Sequence, residues 1–253
     1  ALDFLSQRVI AWNADGAIGP ELRAPDGLED ARFAVGDGWV QTVITGRDST
    51  GNRIYTLLRD HGQRRDVLAV SARAEYAVGD LPTCGMAQIT SYPLLAPRIV
   101  WASSGDLTAV STTSEYEVEI LRGTERVGTI RRPIVPEPTD STIAAYHARG
   151  RNMGSCPLPP MEVVRAFGFA AETPVIAALT FTPDGELLVV RRVEGMAPVV
   201  DLFGADFAYR GTLPASFPIP AVFIDAERFV SIDRDSLDVP VVRQVRLSRG
   251  AGQ

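Results

Sequence analysis

The sequence predicts an all-β protein, and three observations carry that prediction. Punctuation is dense: 22 Gly and 18 Pro in 253 residues leave room for short strands and few long helices. The apolar runs have the length of strands and are rich in Val, Ile and aromatic residues. Several alternate with period two, as Tyr116, Val118 and Ile120 do, which is the pattern of a half-buried antiparallel strand.

In chain order the expected strands begin with "RVIAW" at 8–12, "GWVQTVIT" at 38–45 and "RIYTLL" at 53–58. "RIVWA" at 98–102 and "YEVEIL" at 116–121 follow. After a long interruption come "VIAALTF" at 175–181, "ELLVVRRV" at 186–193 and "APVVDLF" at 197–203. "AVFID" at 221–225, "RFVSID" at 228–233 and "VVRQVRL" at 241–247 close the series. These runs form a repeat. A tight turn such as "TPDG" at 182–185 leads into a second strand, a polar loop, a third strand, a short turn and a fourth segment. The hairpin turns at Asp184 and Ala226 lie about 42 residues apart, within the ~40–50 of a four-stranded propeller blade. The earlier gaps, about 68 and 79 residues, each hold one blade plus an insertion.

The predicted architecture is therefore one β-propeller domain of four-stranded antiparallel blades over 1–253. Blades are expected near 1–25 (partial), 30–72, 97–135, 174–214 and 220–248, with insertions at 73–97 and 133–174. The second insertion carries a short helical stretch around 140–168, in which Asp140 or Ser141 caps "TIAAYHAR" and "MEVVRAFGF" adds a further turn or two. Cys84 and Cys156 fall one in each insertion. One reading is a disulfide tying two loops on one rim, worth roughly 4 kcal/mol in the chain-entropy model. The other is two buried free thiols.

Composition excludes several function classes. At 45% hydrophobic and 22% charged the chain is too apolar to be mainly disordered. Its net charge of −6 lacks the basic footprint of a nucleic-acid binder, and no apolar run approaches the ~18 residues of a membrane-spanning helix. All 25 basic residues are Arg, so Schiff-base and P-loop lysine chemistry have no lysine to use. His61 and His147 are the only histidines, little material for a triad or a His-rich metal site, and both read most simply as surface residues. Nucleophile elbows, dinucleotide-binding glycines and His-Glu zinc motifs are absent.

At the N-terminus, "ALDFLSQRVIAWNADG" resembles the second half of an NHL-type propeller blade, with Asp3, Ser6, Arg8, Val9, Trp12 and Gly16 at the patterned places. Ser6 stands where Asn is usual. The resemblance implies a structural role for Asp3, ending a second strand, and Arg8, opening the third with its guanidinium near that carboxylate. Most of the remaining chain resembles uncharacterised secreted six-bladed propellers of high-GC soil bacteria. The stretches that carry this include "LAPRIVWASSGDLTAVSTTSEYEVEILRG" and "TFTPDGELLVVRR". It implies an extracytoplasmic setting, periplasmic, envelope or secreted, and assigns no catalytic residue. On this register the chain is expected to be the C-terminal part of a six-bladed parent, N-terminally truncated, with about five blades present and any signal segment before Ala1.

Four sets of side chains are candidates for chemistry. Arg pairs recur at strand ends, at Arg64–Arg65, Arg131–Arg132 and Arg191–Arg192, and neighbours in a strand face opposite ways. Arg132 and Arg192 are thus placed to line a channel mouth and to take carboxylate or phosphate bidentately; solvated or Asp-paired arginines are the alternative. Asp233, Asp235 and Asp238 in one loop, and Asp48, Thr50 and Asn52 in another, supply oxygen ligands of the kind Ca²⁺ takes. Neither loop has an EF-hand pattern, and turn formation is the commoner use of such residues. Trp12, Trp39, Trp101, Tyr116, Phe181 and Phe203 fall on strands as inter-blade core, with a carbohydrate platform as the other reading.

Together these features predict a non-enzymatic binding or interaction propeller without a cofactor, whose unknown ligand or protein partner meets the rim loops or channel mouth. The alternative is a Ca²⁺-dependent lactonase-like hydrolase with an axial metal held by Glu, Asn and Asp. Its asparagines would come from Asn13, Asn52 and Asn152. A polypeptide-binding ring in a larger surface assembly also fits the acidic balance.

Overall fold

In the computed structural model the described residues are 2–3, 8–12, 18–23, 28–33, 39–61, 64–73, 76–78, 89–149, 152–153, 156–193, 197–234 and 239–247. They form an all-β fold of antiparallel meanders, of which the second to the fifth stack in chain order as the blades of a propeller do. The first sheet has three strands, β1 (Leu2–Asp3), β2 (Arg8–Trp12) and β3 (Ile18–Arg23). The second has four, β4 (Leu28–Phe33), β5 (Trp39–Arg47), β6 (Arg53–Asp60) and β7 (Arg65–Arg73). A hairpin of β8 (Tyr76–Val78) and β9 (Ile89–Ser91) follows.

The third sheet comprises β10 (Val100–Ser104), β11 (Leu107–Ser111), β12 (Glu117–Arg122) and β13 (Glu125–Arg131). Its first hairpin turns through Gly105 and Asp106, with Ser104 paired to Leu107. Gly105 has φ +58° at the first loop position, where a two-residue hairpin turn of type II′ requires glycine. The long insertion then runs through β14 (Glu137–Pro138), α1 (Ser141–Ala148), β15 (Asn152–Met153), β16 (Cys156–Pro157), α2 (Pro160–Phe167) and β17 (Glu172–Thr173). The fourth sheet is β18 (Ile176–Phe181), β19 (Leu187–Arg191), β20 (Val199–Phe203) and β21 (Tyr209–Thr212). The fifth has three strands, β22 (Pro220–Phe223), β23 (Arg228–Arg234) and β24 (Pro240–Arg246). Among the described residues no strand pairing joins the first sheet to the fifth.

Period-two alternation explains why the sheets stack face to face. In the third sheet Trp101, Val110 and Leu121 pack against Val40, Tyr55 and Leu57 of the second. Their neighbours Ala102, Ala109 and Ile120 point the other way, onto Leu179, Leu187 and Val189 of the fourth. A sheet buried on both faces needs apolar residues on both, and each fully buried Val or Ile contributes roughly 1.5–3 kcal/mol. Leu188, Val190 and Val200 continue the stack onto Phe217, Ile219 and Phe223 at the fifth sheet. On the opposite face of that sheet Val222, Ile232 and Val242 are exposed.

The two insertions meet. Leu94 exchanges backbone hydrogen bonds with the segment after α2: its N–H donates to Gly168 at 3.0 Å, and its carbonyl accepts from Ala170 at 2.8 Å. The Leu94 side chain is buried with Ala144 and Ala148 of α1 and Val163, Val164 and Phe167 of α2. Asp140 is the N-cap of α1, its Oδ1 accepting from the Thr142 and Ile143 amides at 2.8 Å each. The base of the insertion is clasped by β14 and β17, where Glu137 stands opposite Thr173.

Candidate functional site

β10 and β18 lie side by side, and so do β18 and β22, so first strands of successive sheets are neighbours along the inner side of the stack. The joined insertions roof one end of these strands. Two cavities open there, of about 260 Å³ and about 500 Å³. Arg192 and His147 line both, and Arg98 lines the smaller.

Arg192 follows directly on β19. Its amide donates to Val175 at 2.9 Å, and its Nη1 donates to the carbonyls of Pro174 at 2.8 Å and Ile176 at 3.0 Å. Those two contacts hold the half-buried guanidinium against the start of β18. Among the described residues it makes no ion pair, and its Nε and Nη2 groups have no hydrogen-bond acceptor. Burial lowers its pKa, and the charge of Arg98 acts in the same direction. His147 comes from α1, its ring edge-on to Tyr146 at 5.3 Å between centroids. The residue is exposed, and partial burial of its ring, and then the Arg192 charge, push its pKa below the usual histidine value. Among the described residues no carboxylate lines the smaller cavity, and three groups able to carry positive charge share it.

A second cluster lies between the third and fourth sheets, around Asp201. The carboxylate is fully buried; its Oδ2 accepts from Tyr116 Oη at 2.9 Å, Arg132 Nη1 at 2.6 Å and Arg191 Nε at 3.1 Å. Its Oδ1 accepts from the Thr212 hydroxyl. Arg132 also lies over the Tyr209 ring, 4.2 Å from the centroid, a cation–π contact. Burial first, and then the Asp201 charge, push the Tyr116 hydroxyl pKa far up. The arginine pairs therefore diverge as strand neighbours should: Arg131 meets Glu117 while Arg132 meets Asp201, and Arg191 meets Asp201 while Arg192 meets backbone carbonyls.

The remaining candidates are placed as follows. Asp48 Oδ1 accepts from the Thr50 amide at 2.9 Å, the Thr50 hydroxyl at 2.7 Å and the Asn52 amide at 2.9 Å, so these residues close a turn on one another. Asp233 stands 3.6 Å from Arg243, while Asp235 and Asp238 lie outside the described residues. Among the described residues no group of three or more His, Cys, Asp or Glu side chains is placed to hold a metal. Asp3 and Arg8 are register partners at the ends of β1 and β2. Cys84 and Asn13 lie outside the described residues, and Cys156 and Asn152 are described for their backbone in β16 and β15 alone. His61 faces Asp66 at 3.5 Å in a hairpin turn. Trp101, Tyr116, Phe181 and Phe203 are buried between sheets.

The sequence singled out Arg132 and Arg192 for a channel mouth; Arg132 is paired with Asp201, the alternative reading, and Asp201, Arg98 and Tyr146 were not singled out. Asp201 did leave a signal, a lone acid inside the apolar run "APVVDLF". Arg98, in "LAPRIVWA", stands where a strand was expected and carried none.

No family model matches the chain, and no curated protein does. Among solved structures the chain is similar to Hsv2 of Kluyveromyces lactis, at 9% identity over 97% of this chain and 81% of that one, with a TM-score of 0.33. A form of the same protein with loop 6CD replaced by a Gly-Ser linker matches at 8% identity over 97% of this chain and 79% of that one, with a TM-score of 0.36. At these values the likeness assigns no ligand, partner or activity to the chain.

Proposed function

We propose that the protein is a non-enzymatic binding module that takes its ligand into the paired cavities between the insertion helix α1 and the inner ends of the third and fourth sheets. The observation that carries this reading is Arg192: a half-buried guanidinium anchored by one nitrogen to two carbonyls, lining a cavity that among the described residues holds no carboxylate. Catalysis would need a nucleophile paired with a base, or a metal; the larger cavity carries Thr142, His147 and Glu137 beside its apolar walls, and turnover assays decide between the two readings. The same proposal takes the blades as NHL-like, which the Asp3–Arg8 register supports. It places the protein outside the cytoplasm on its resemblance to secreted propellers.

The test is a thermal-shift screen of small organic anions, cations and neutral compounds, run beside ester and lactone turnover assays. Hits that stabilise the protein, and lose their effect when the Ala177 side chain lining the larger cavity is enlarged (Ala177→Phe), are expected. Steady turnover of an ester or lactone would overturn the non-enzymatic reading.

A further inference from the structure

Resting on that reading, the geometry points to a ligand of defined chemistry: a small amphipathic oxyanion, with a carboxylate or phosphate head held by Arg192 and Arg98 and an apolar body lying in the larger cavity. Three observations converge on it. The first is the state of the guanidinium. Arginine presents five N–H donors in a planar fork, and among the described residues Arg192 uses Nη1 alone, which leaves the edge formed by Nε and Nη2 for a bidentate acceptor. The second is the sign of the surroundings. Arg98 is exposed and makes no ion pair among the described residues, and it lines the same cavity as Arg192 and His147. Two guanidiniums brought together with no acid between them among the described residues repel each other, and an oxyanion between them removes that repulsion.

The third observation is the shape. Arg192 and His147 stand where the two cavities adjoin, and beyond them Ile143, Tyr146, Ala177, Val193 and Pro198 line the larger one. A ligand that reached only the arginines would leave this apolar space unfilled; one that filled only the apolar space would leave the guanidinium fork without an acceptor. Glu137 lines the larger cavity and not the smaller, which sets the orientation: the negative head sits with the arginines and the uncharged body lies beneath α1. Both volumes are of the order of small-molecule sites, ~300–1,000 Å³, and neither is an open face suited to a macromolecule.

Isothermal titration calorimetry of the full chain with hexanoate, hexyl phosphate, hexanamide and inorganic phosphate tests the proposal. Hexanoate or hexyl phosphate is expected to bind at least about tenfold more tightly than either hexanamide or inorganic phosphate. The tighter of the two identifies the head group, and either order supports the shared chemistry. Arg192→Gln is expected to weaken the better anion by about tenfold or more. Arg98→Gln, at an exposed residue whose replacement leaves the fold intact, is expected to weaken it several-fold. Equal binding of hexanamide and hexanoate would overturn the anion proposal while leaving the cavity a binding site. Inorganic phosphate binding as tightly as hexyl phosphate would overturn the amphipathic part. No heat from any of the four would overturn the proposal as a whole, and the broader screen of neutral and cationic compounds then decides the binding reading separately.

Discussion

Tyr116 and Asp201, 85 positions apart in the chain, meet through a 2.9 Å hydrogen bond in which the buried phenol donates to a buried carboxylate. Tyr116 immediately precedes β12 of the third sheet and Asp201 lies in β20 of the fourth, so the bond, with that of Arg132, crosses a largely apolar interface. With Arg132 and Arg191 on the same oxygen, the carboxylate is surrounded by donors, and the cluster carries one negative and two positive charges.

Removing that negative charge leaves two guanidiniums facing each other. Asp201→Asn is therefore expected to lose about 3–5 kcal/mol of stability, the usual consequence of breaking one side of a buried ion pair. Tyr116→Phe removes a single donor and is expected to lose about 1–2 kcal/mol. Urea unfolding of both variants and of the double mutant measures this. Additive losses would show that the phenol and the carboxylate are not coupled.

Phe229 is fully buried in β23, with the rings of Phe217 and Phe223 at 5.7 and 5.6 Å. Truncation to Ala empties the junction of the fourth and fifth sheets and is expected to lose about 3–5 kcal/mol. A loss below 1 kcal/mol, on the order of an exposed substitution, would contradict the packing of the fifth sheet on the fourth.

His147 gives the cavity a dependence on pH. Its folded pKa lies below the ordinary histidine value, so the unfolded chain binds the proton more readily. The stability it contributes is present above the unfolded pKa of 6.5 and is lost as pH falls through the depressed folded value. The groups that face it are Arg192 from β19, Arg98 before β10, Glu137 from β14 and Tyr146 on its own helix. With two histidines in the sequence, proton NMR shows two titrations, and His147→Gln identifies which is which. A midpoint below 6.5 is expected, moving upward when an anion binds; a midpoint above it in the free protein would contradict the site's positive character.

Asp48 titrates in the acid range. The Thr50 hydroxyl, ahead of the Asn52 and Thr50 amides, holds its carboxyl below the usual 3.8. Its contribution to the turn is thus present above 3.8 and lost as pH falls through the lower folded value. In Thr50→Val the Asp48 carboxyl, followed by carbon-detected NMR, is expected to titrate closer to 3.8; an unchanged midpoint would mean the hydroxyl bond does not form in solution.

What was legible in the sequence was local. Thr182 closes its turn on Glu186 with Gly185 at φ +82°, and the motif "TPDGE" advertises that turn because glycine alone enters such a conformation freely. Tyr116, Val118 and Ile120 announce a buried face because side chains alternate across a strand. The pairing of Glu137 with Thr173 left no such mark: it joins residues from opposite ends of the insertion, and neither end carries a turn. Asp201 was legible as an oddity and illegible as a partner, since which arginines reach it depends on the twist and stacking of two sheets. Arg192 and Arg191 turn to different partners as strand neighbours do, but the cavity that Arg192 lines is closed by α1 and the Leu94 segment, whose docking is wholly tertiary.

The fifth sheet differs from the third in what holds it. The third is fastened to its neighbour by an apolar layer and by the Asp201 cluster, whereas the fifth joins the fourth through an apolar layer alone and leaves Val222, Ile232 and Val242 open to water. Opening fluctuations should therefore begin at β24 and spread inward, with the third and fourth sheets exchanging their amide hydrogens last and as one cooperative unit. The cavities rest on β10 and β18 of these sheets and are closed by α1 and the Leu94 segment, so their floor belongs to the slowest-exchanging part of the molecule while the fifth sheet breathes.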